Sequence, residues 1–262
     1  MLPKNGKSVT PSASPLFAVD FDGVLCDSAA ETGITAWRAG GRIWRHWRGA
    51  EPPSAMLARF VSLRPVVEKG YEAILLLALI DEGRDDAAIF ARFAALANQL
   101  LIAKNLAAAD LTRLFGKARD AWIERDPADW ISRNRFYPVV LDSLARRLTS
   151  DPVFILTTKQ QRFVILLLKA AGIRLAADRI FALESALPKE DRLLKLMSRF
   201  PEHTIHFVED RLATLLRVAA REELTAVRLY LADWGYNTVA EREQARAMDR
   251  ISICRPEIFM QG

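Results

Sequence analysis

The chain has 262 residues, 51% of them hydrophobic, and a formal charge of +5, enough apolar material for a substantial core and too little charge bias for a disordered chain. Its basic residues, among them Arg42, Arg45, Arg48, Arg113, Arg119, Arg133, Arg146, Arg217 and Arg221, are dispersed rather than gathered in a tract. No nucleic-acid partner is therefore expected, and most of these arginines read as solvated faces, with a few helping to attract an anionic substrate.

Cys26 and Cys254 are the only cysteines, which gives no disulfide framework and fits a reducing compartment. Residues 1–15 carry Lys, Ser, Thr and Pro with no acidic residue and no apolar stretch, which excludes a secretory signal. They read as a disordered leader, with an organelle transit segment as the alternative. The expected location is cytoplasmic, or an organelle stroma in the second case. Residues 16–19 form a short apolar run ending in Asp20-Phe21-Asp22-Gly23, the pattern of a strand buried on both faces that delivers carboxylates at its carboxyl end.

From 28 to 135 no strand pattern is present, and Ala, Leu, Arg and aromatic residues recur at helical spacing, which predicts an inserted all-helical domain. Ser28 and Glu31 have the spacing of a capping box that would start its first helix. Pro52-Pro53, Gly70 and residues 81–86 with Gly83 mark breaks between helices. Trp37, Trp44 and Trp47 share a helical spacing. With Trp122, Trp130 and Arg38, Arg42, Arg45 and Arg48 they read as core packing or as the lining of a substrate entrance. The longest uninterrupted apolar runs, residues 73–80 and 163–168, fall short of the roughly 18 residues that cross a bilayer, so no membrane partner is expected.

Further strand-like runs follow. Residues 153–156 end at Thr157-Thr158-Lys159, residues 205–208 at Glu209-Asp210, and residues 227–231 at Ala232-Asp233. Helical patterns over 161–171, 190–200 and 212–222 separate them, and this alternation predicts a parallel sheet with helices on both faces.

In such a sheet the loops at the carboxyl ends of the strands converge on one crevice, so Asp20, Asp22, Thr157 and Asp210 are expected to meet there. Two carboxylates separated by one residue share a face only in an extended strand, and here the second would be displaced into the loop. One can attack or bind metal while the other, displaced into the loop, reaches a leaving-group oxygen. Gly23 suits the sharp turn that follows. Each residue also has an ordinary reading. Asp-x-Asp-Gly occurs in many turns and calcium loops, and Asp210 would cap a helix beginning near Leu212. Thr158 competes with Thr157, although strand alternation favours Thr157, and Lys159 or Lys195 competes with Lys189.

The whole string Leu16-Phe17-Ala18-Val19-Asp20-Phe21-Asp22-Gly23-Val24-Leu25-Cys26-Asp27-Ser28 resembles the first motif of the haloacid dehalogenase-like superfamily. Counterparts of its other motifs are Thr157 in Thr-Thr-Lys, Lys189 after Pro188, and the pair Glu209-Asp210, with Phe136-Tyr137-Pro138 and Trp234-Gly235-Tyr236 as further matches. The resemblance is to the phosphoglycolate phosphatase and β-phosphoglucomutase-like members. It implies an α/β fold with a Rossmann-like parallel-sheet core over 16–27 and 136–255, and an inserted all-helical cap over 28–135.

The resemblance also implies a mechanism. Asp20 is the nucleophile that forms an aspartyl-phosphate, Asp22 is the general acid/base, and Thr157 and Lys189 hold the non-bridging oxygens. Mg²⁺ is bound by Asp20, the backbone carbonyl of Asp22 and Asp210, with Glu209 near or in the ligand shell. The expected function is a Mg²⁺-dependent phosphatase acting on a small phosphorylated metabolite. A phosphosugar mutase and a non-catalytic binding protein on the same scaffold are the alternatives. Many members have Gly before the metal-binding Asp and a second acid four residues after it, where this chain has Glu209 and Thr214. No glycine-rich phosphate loop points to a nucleotide cofactor, and His46, His203 and His206 lack metal-ligand spacing.

Overall fold

The computed structural model describes residues 14–185 and 187–260. Residues 1–13 of the expected leader lie outside these, whereas Ser14 and Pro15 belong to the first strand, β1 (Ser14–Val19). Along β1, Phe17 and Val19 enter one apolar cluster and Leu16 and Ala18 another. A strand without a charged residue is stable there because its period of two buries both faces.

A two-residue strand β2 (Cys26–Asp27) leads into six helices: α1 (Ala29–Gly40), α2 (Ser54–Leu63), α3 (Glu72–Asp81), α4 (Asp86–Ala103), α5 (Ala108–Arg125) and α6 (Pro127–Ser132). β3 (Arg135–Phe136) then pairs antiparallel with β2, closing the root of the helical insertion. The remaining elements are α7 (Pro138–Arg147), β4 (Val153–Leu156), α8 (Gln161–Ala170), β5 (Ile180–Phe181), α9 (Lys189–Arg199), β6 (His203–Glu209), α10 (Leu212–Ala219), β7 (Arg228–Ala232), α11 (Val239–Arg246) and β8 (Ile251–Cys254).

The main sheet has the order β5-β4-β1-β6-β7-β8, parallel throughout. From β1 the chain builds outward through β4 and β5 on one side and through β6, β7 and β8 on the other. The strand order therefore reverses beside β1, where open α/β sheets place their crevice. On one face α7 and α8 contribute Val140, Leu144, Val164 and Leu167; on the other α9 and α10 contribute Leu193, Leu196, Leu215 and Val218. Phe259 and Met260 are also buried in the core.

The insertion has its own apolar core. Every residue from Ala73 to Ile80 of α3 is buried, as expected of a helix enclosed on all sides. The expected breaks lie between helices, and Gly83 takes a positive φ of 73° between α3 and α4. Two local expectations fail. The spacing of Trp37, Trp44 and Trp47 does not mark one helix, because α1 ends at Gly40. The chain then folds back, stacking Trp47 between Trp37 and Trp44 with ring centroids 5.0 and 4.8 Å away. Trp122 and Trp130 are fully buried, so they pack the base of the insertion instead of lining an entrance.

The capping box also fails, since the Ser28 side chain makes no capping bond. Its hydroxyl is taken by Asp22, and Glu31 is drawn into a buried pair with Arg119. α4 is long and apolar enough, by length and composition, to cross a membrane, which a search for uninterrupted apolar runs overlooks. Its buried residues Ile89, Phe93, Leu96, Ala97 and Leu100 form a stripe of helical period packed on the insertion's core.

Candidate active site

Strand register sets the site. Val19 lies opposite Ile155 on one neighbour and Val208 on the other, so the three strands run out within about a residue of one level. Asp20 follows β1, Thr157 follows Leu156 at the end of β4, and Glu209 with Asp210 stands at the end of β6. The amide of Asp20 continues the ladder, donating to the Val208 carbonyl at 2.9 Å. The chain then turns sharply through Gly23, at φ 88°, and the amides of Leu25 and Cys26 return to the Phe21 carbonyl. A Cβ on Gly23 would overlap the Asp210 carboxylate, and one on Gly235 would overlap the Asp210 side chain. These two glycines make the space in which Asp210 sits.

Asp20, Glu209 and Asp210 are buried and each offers a carboxylate oxygen, all three within 4.8 Å of one another. Lys189, the first residue of α9, bridges two of them: its Nζ lies 2.7 Å from Asp20 Oδ1 and 2.6 Å from Glu209 Oε2. Burial, followed by repulsion from Glu209 and Asp22 against the pull of Lys189, raises Asp20 to about 7. Burial and the charge of Asp20 raise Asp210 to about 6. Glu209 is raised too, by burial against the pull of Lys189, while Lys189 rises because its two carboxylates outweigh its own burial.

This surplus of negative charge is the observation that fits a divalent cation. Three hard oxygen donors share one buried point, and a metal there would favour their ionised forms. Asp210 does not cap α10. Its Oδ2 accepts from the Tyr236 amide at 2.7 Å, and Arg211 holds the cap position.

Asp22 is turned away from this cluster. Its Oδ1 accepts from Lys159 Nζ at 2.8 Å and from the Ser28 hydroxyl at 2.5 Å. Burial works against its charge, but Lys159 and these hydrogen bonds outweigh it and hold the carboxyl below its ordinary value. Lys159, weighed in the sequence only as a rival of Lys189, therefore serves the other carboxylate; the two lysines divide the aspartates between them.

Thr157 is 1% exposed and its Oγ1 accepts from the Lys159 amide at 3.1 Å. Thr158, not Thr157, lines the cavity above. That cavity, of about 280 Å³, contains Asp20, Asp22, Lys189, Glu209 and Asp210. Lys195, the remaining rival, is not among its lining residues. A larger groove of about 1280 Å³, between α4 and α11, holds none of these carboxylates.

Residues with no sequence signal complete the site. Arg192, one turn beyond Lys189, donates to the carbonyls of Thr157, Phe181 and Ala182, tying together the ends of β4 and β5. From the insertion, Arg64 lies with its guanidinium carbon 4.4 Å from the centre of the Tyr236 ring. Arg211 donates to the carbonyls of Pro65 and Val67, so this segment of the insertion roofs the cavity.

No protein-family model and no curated protein sequence matches the chain. Solved structures do match over nearly its full length. One is a haloacid dehalogenase-like family hydrolase from Streptococcus pneumoniae, 16% identical, with a TM-score of 0.54 over 93% of this chain and 95% of that one. A second is a predicted phosphoglycolate phosphatase from Haemophilus somnus, 16% identical, with a TM-score of 0.58 over 96% and 98%. A third is a predicted phosphatase from Clostridium acetobutylicum, 16% identical, with a TM-score of 0.54 over 93% and 95%. The α/β core with its inserted helical cap is thus the fold of the haloacid dehalogenase-like hydrolases.

Proposed function

We propose that the protein is a Mg²⁺-dependent phosphatase that hydrolyses a small phosphomonoester through an aspartyl-phosphate on Asp20. The observation that carries this reading is the junction of Asp20 with Lys189 at 2.7 Å inside a buried carboxylate cluster, at the switch point of a parallel sheet. Asp20, Asp210 and the backbone carbonyl of Asp22 would hold the ion, with Glu209 beside them. When bound, Mg²⁺ supplies positive charge that offsets repulsion between the Asp20 carboxylate and the phosphate dianion.

Asp20 attacks phosphorus, the P–O bond to the leaving alcohol breaks, and the alkoxide takes a proton from Asp22. Lys189 binds the non-bridging oxygens, where charge is spread in the transition state; the Thr157 hydroxyl, given the same role by the motif, lies just behind the cavity lining and must turn from the Lys159 amide to share it. Asp22 then removes a proton from the water that cleaves the acyl-phosphate. In this arrangement Lys159 and Ser28 outweigh burial and hold the Asp22 carboxyl below its ordinary value, favouring the charged form needed for this second half; the first half requires it to leave Lys159 and carry a proton. The acid opposite the expected fourth-motif position is replaced by Thr214. The buried Glu209 instead orients Lys189.

Phosphate release from small phosphomonoesters, assayed with and without Mg²⁺ in the native protein and in Asp20→Asn, tests this function. Release that needs both the ion and Asp20 is expected. Release that survives Asp20→Asn contradicts the reading, and an isomerised sugar phosphate in place of free phosphate replaces it with a mutase.

A further inference from the structure

A second cleft, of about 160 Å³, opens along the seam between cap and core, next to the catalytic cavity. Tyr71, Phe115 and Gly116 line it from the cap, and Thr158, Phe163 and Leu183 from the core. Its volume is close to that of an engineered apolar cavity known to bind benzene, about 150 Å³. Of the two cations in its wall, Lys69 is exposed to solvent and Arg119 makes no demand for an anion. Arg119 lies against the Phe115 and Phe163 rings, 4.5 and 5.6 Å from their centres, and its charge is met by Glu31 at 2.6 and 2.8 Å.

Gly116 borders the cleft without a side chain. It lies inside α5, where glycine costs roughly 0.5–1 kcal/mol relative to alanine, and no backbone requirement explains it, since its φ is not positive. A Cβ at this position would meet only Gln160 Nε2, at 3.6 Å. The cleft and the catalytic cavity share Thr158. Between them the Thr158 hydroxyl reaches the Glu68 carbonyl at 3.5 Å, the loose limit of a hydrogen bond and easily given up. Leu183 leaves 42% of its surface exposed at the rim.

We infer that this cleft receives the apolar end of the leaving group, which makes the substrate class a phosphomonoester whose alcohol carries one ring-sized hydrocarbon or aromatic group. This rests on the phosphatase reading for its phosphate subsite. The phosphate sits at Asp20 and Lys189, the ester oxygen faces Asp22, and the ring passes over Thr158 to lie among Tyr71, Phe115 and Phe163. A nucleoside is too large for the space.

The test is calorimetric binding, in the presence of Mg²⁺, of benzylphosphonate and methylphosphonate, whose C–P bonds are not hydrolysed by this mechanism. The native protein should bind benzylphosphonate roughly ten-fold tighter or more. Gly116→Leu, which fills the cleft from within a helix that tolerates leucine, should bring that ratio to near one, and Gly116→Ala should preserve it. Equal affinities in the native protein, or a ratio unchanged by Gly116→Leu in a protein that melts cooperatively, overturns the inference. Turnover of benzyl phosphate, which carries the ring, is scored separately. An affinity gap without turnover supports the cleft and contradicts the phosphatase; turnover without a gap supports the phosphatase and overturns the cleft.

Discussion

Asp210 holds its position because two neighbours have no side chain. Gly235→Ala should leave the sheet intact, since the added methyl meets Asp210 and the Gly23 carbonyl rather than the apolar core. The displaced carboxylate would lower kcat/KM on the order of a hundred-fold, the usual effect of misplacing a reacting group by about 1 Å. Steady-state kinetics beside a thermal melt checks this; an active Gly235→Ala protein would show that Asp210 needs no such fit. At this scale Asp20, Asp22, Lys189 and Asp210 were legible because they stand at strand ends or helix starts with a motif around them. Arg64 and Arg192 were not, since only the fold brings them to the cavity, and Lys159 was weighed only as a rival of Lys189, because its partner Asp22 is a tertiary one. Ser28 was misread for the same reason: its hydroxyl has a tertiary partner, Asp22, that displaces the local cap.

Glu31 ties three helices together. It lies in α1, takes Arg119 of α5 in a two-point pair, and accepts from Trp130 Nε1 of α6 at 2.9 Å and from Thr35 Oγ1 at 2.6 Å. Removing one charge from such a buried pair leaves the other uncompensated, so Glu31→Gln should destabilise the protein by about 3–5 kcal/mol in urea unfolding. Burial opposes the Glu31 charge, but Arg119 and its hydrogen bonds dominate and hold its carboxyl below the ordinary value. Its contribution is therefore complete above the unfolded-state pKa of about 4.3 and is lost as pH falls through the lower folded value. Native stability should fall across that acidic range more steeply than that of Glu31→Gln, and parallel curves would contradict the assignment. Strands β1, β4, β6 and β7 could be read in the sequence as bounded apolar runs. β2, β3 and β5 have two residues each, too few for any periodicity, and exist because the sheet edge or the root of the insertion supplies their partners.

Over the whole molecule, the parallel sheet brings the acids together, and the inserted helices roof them through Arg64, Val67 and Glu68. The sequence foretold both parts, one by strand and helix alternation and the other by a long stretch without strands. It could not foretell the seam between them, because the two cavities there are shaped by residues from many separate stretches of the chain. What the account requires above all is that Asp20 carries the phosphoryl group. Native protein mixed with Mg²⁺ and a phosphomonoester that it turns over, then quenched in acid and mapped by mass spectrometry, should show one phosphoryl group on the peptide containing Asp20. Borohydride should convert that residue to homoserine. Turnover with no phosphorylation of Asp20, or the same label in Asp20→Asn, would contradict the account.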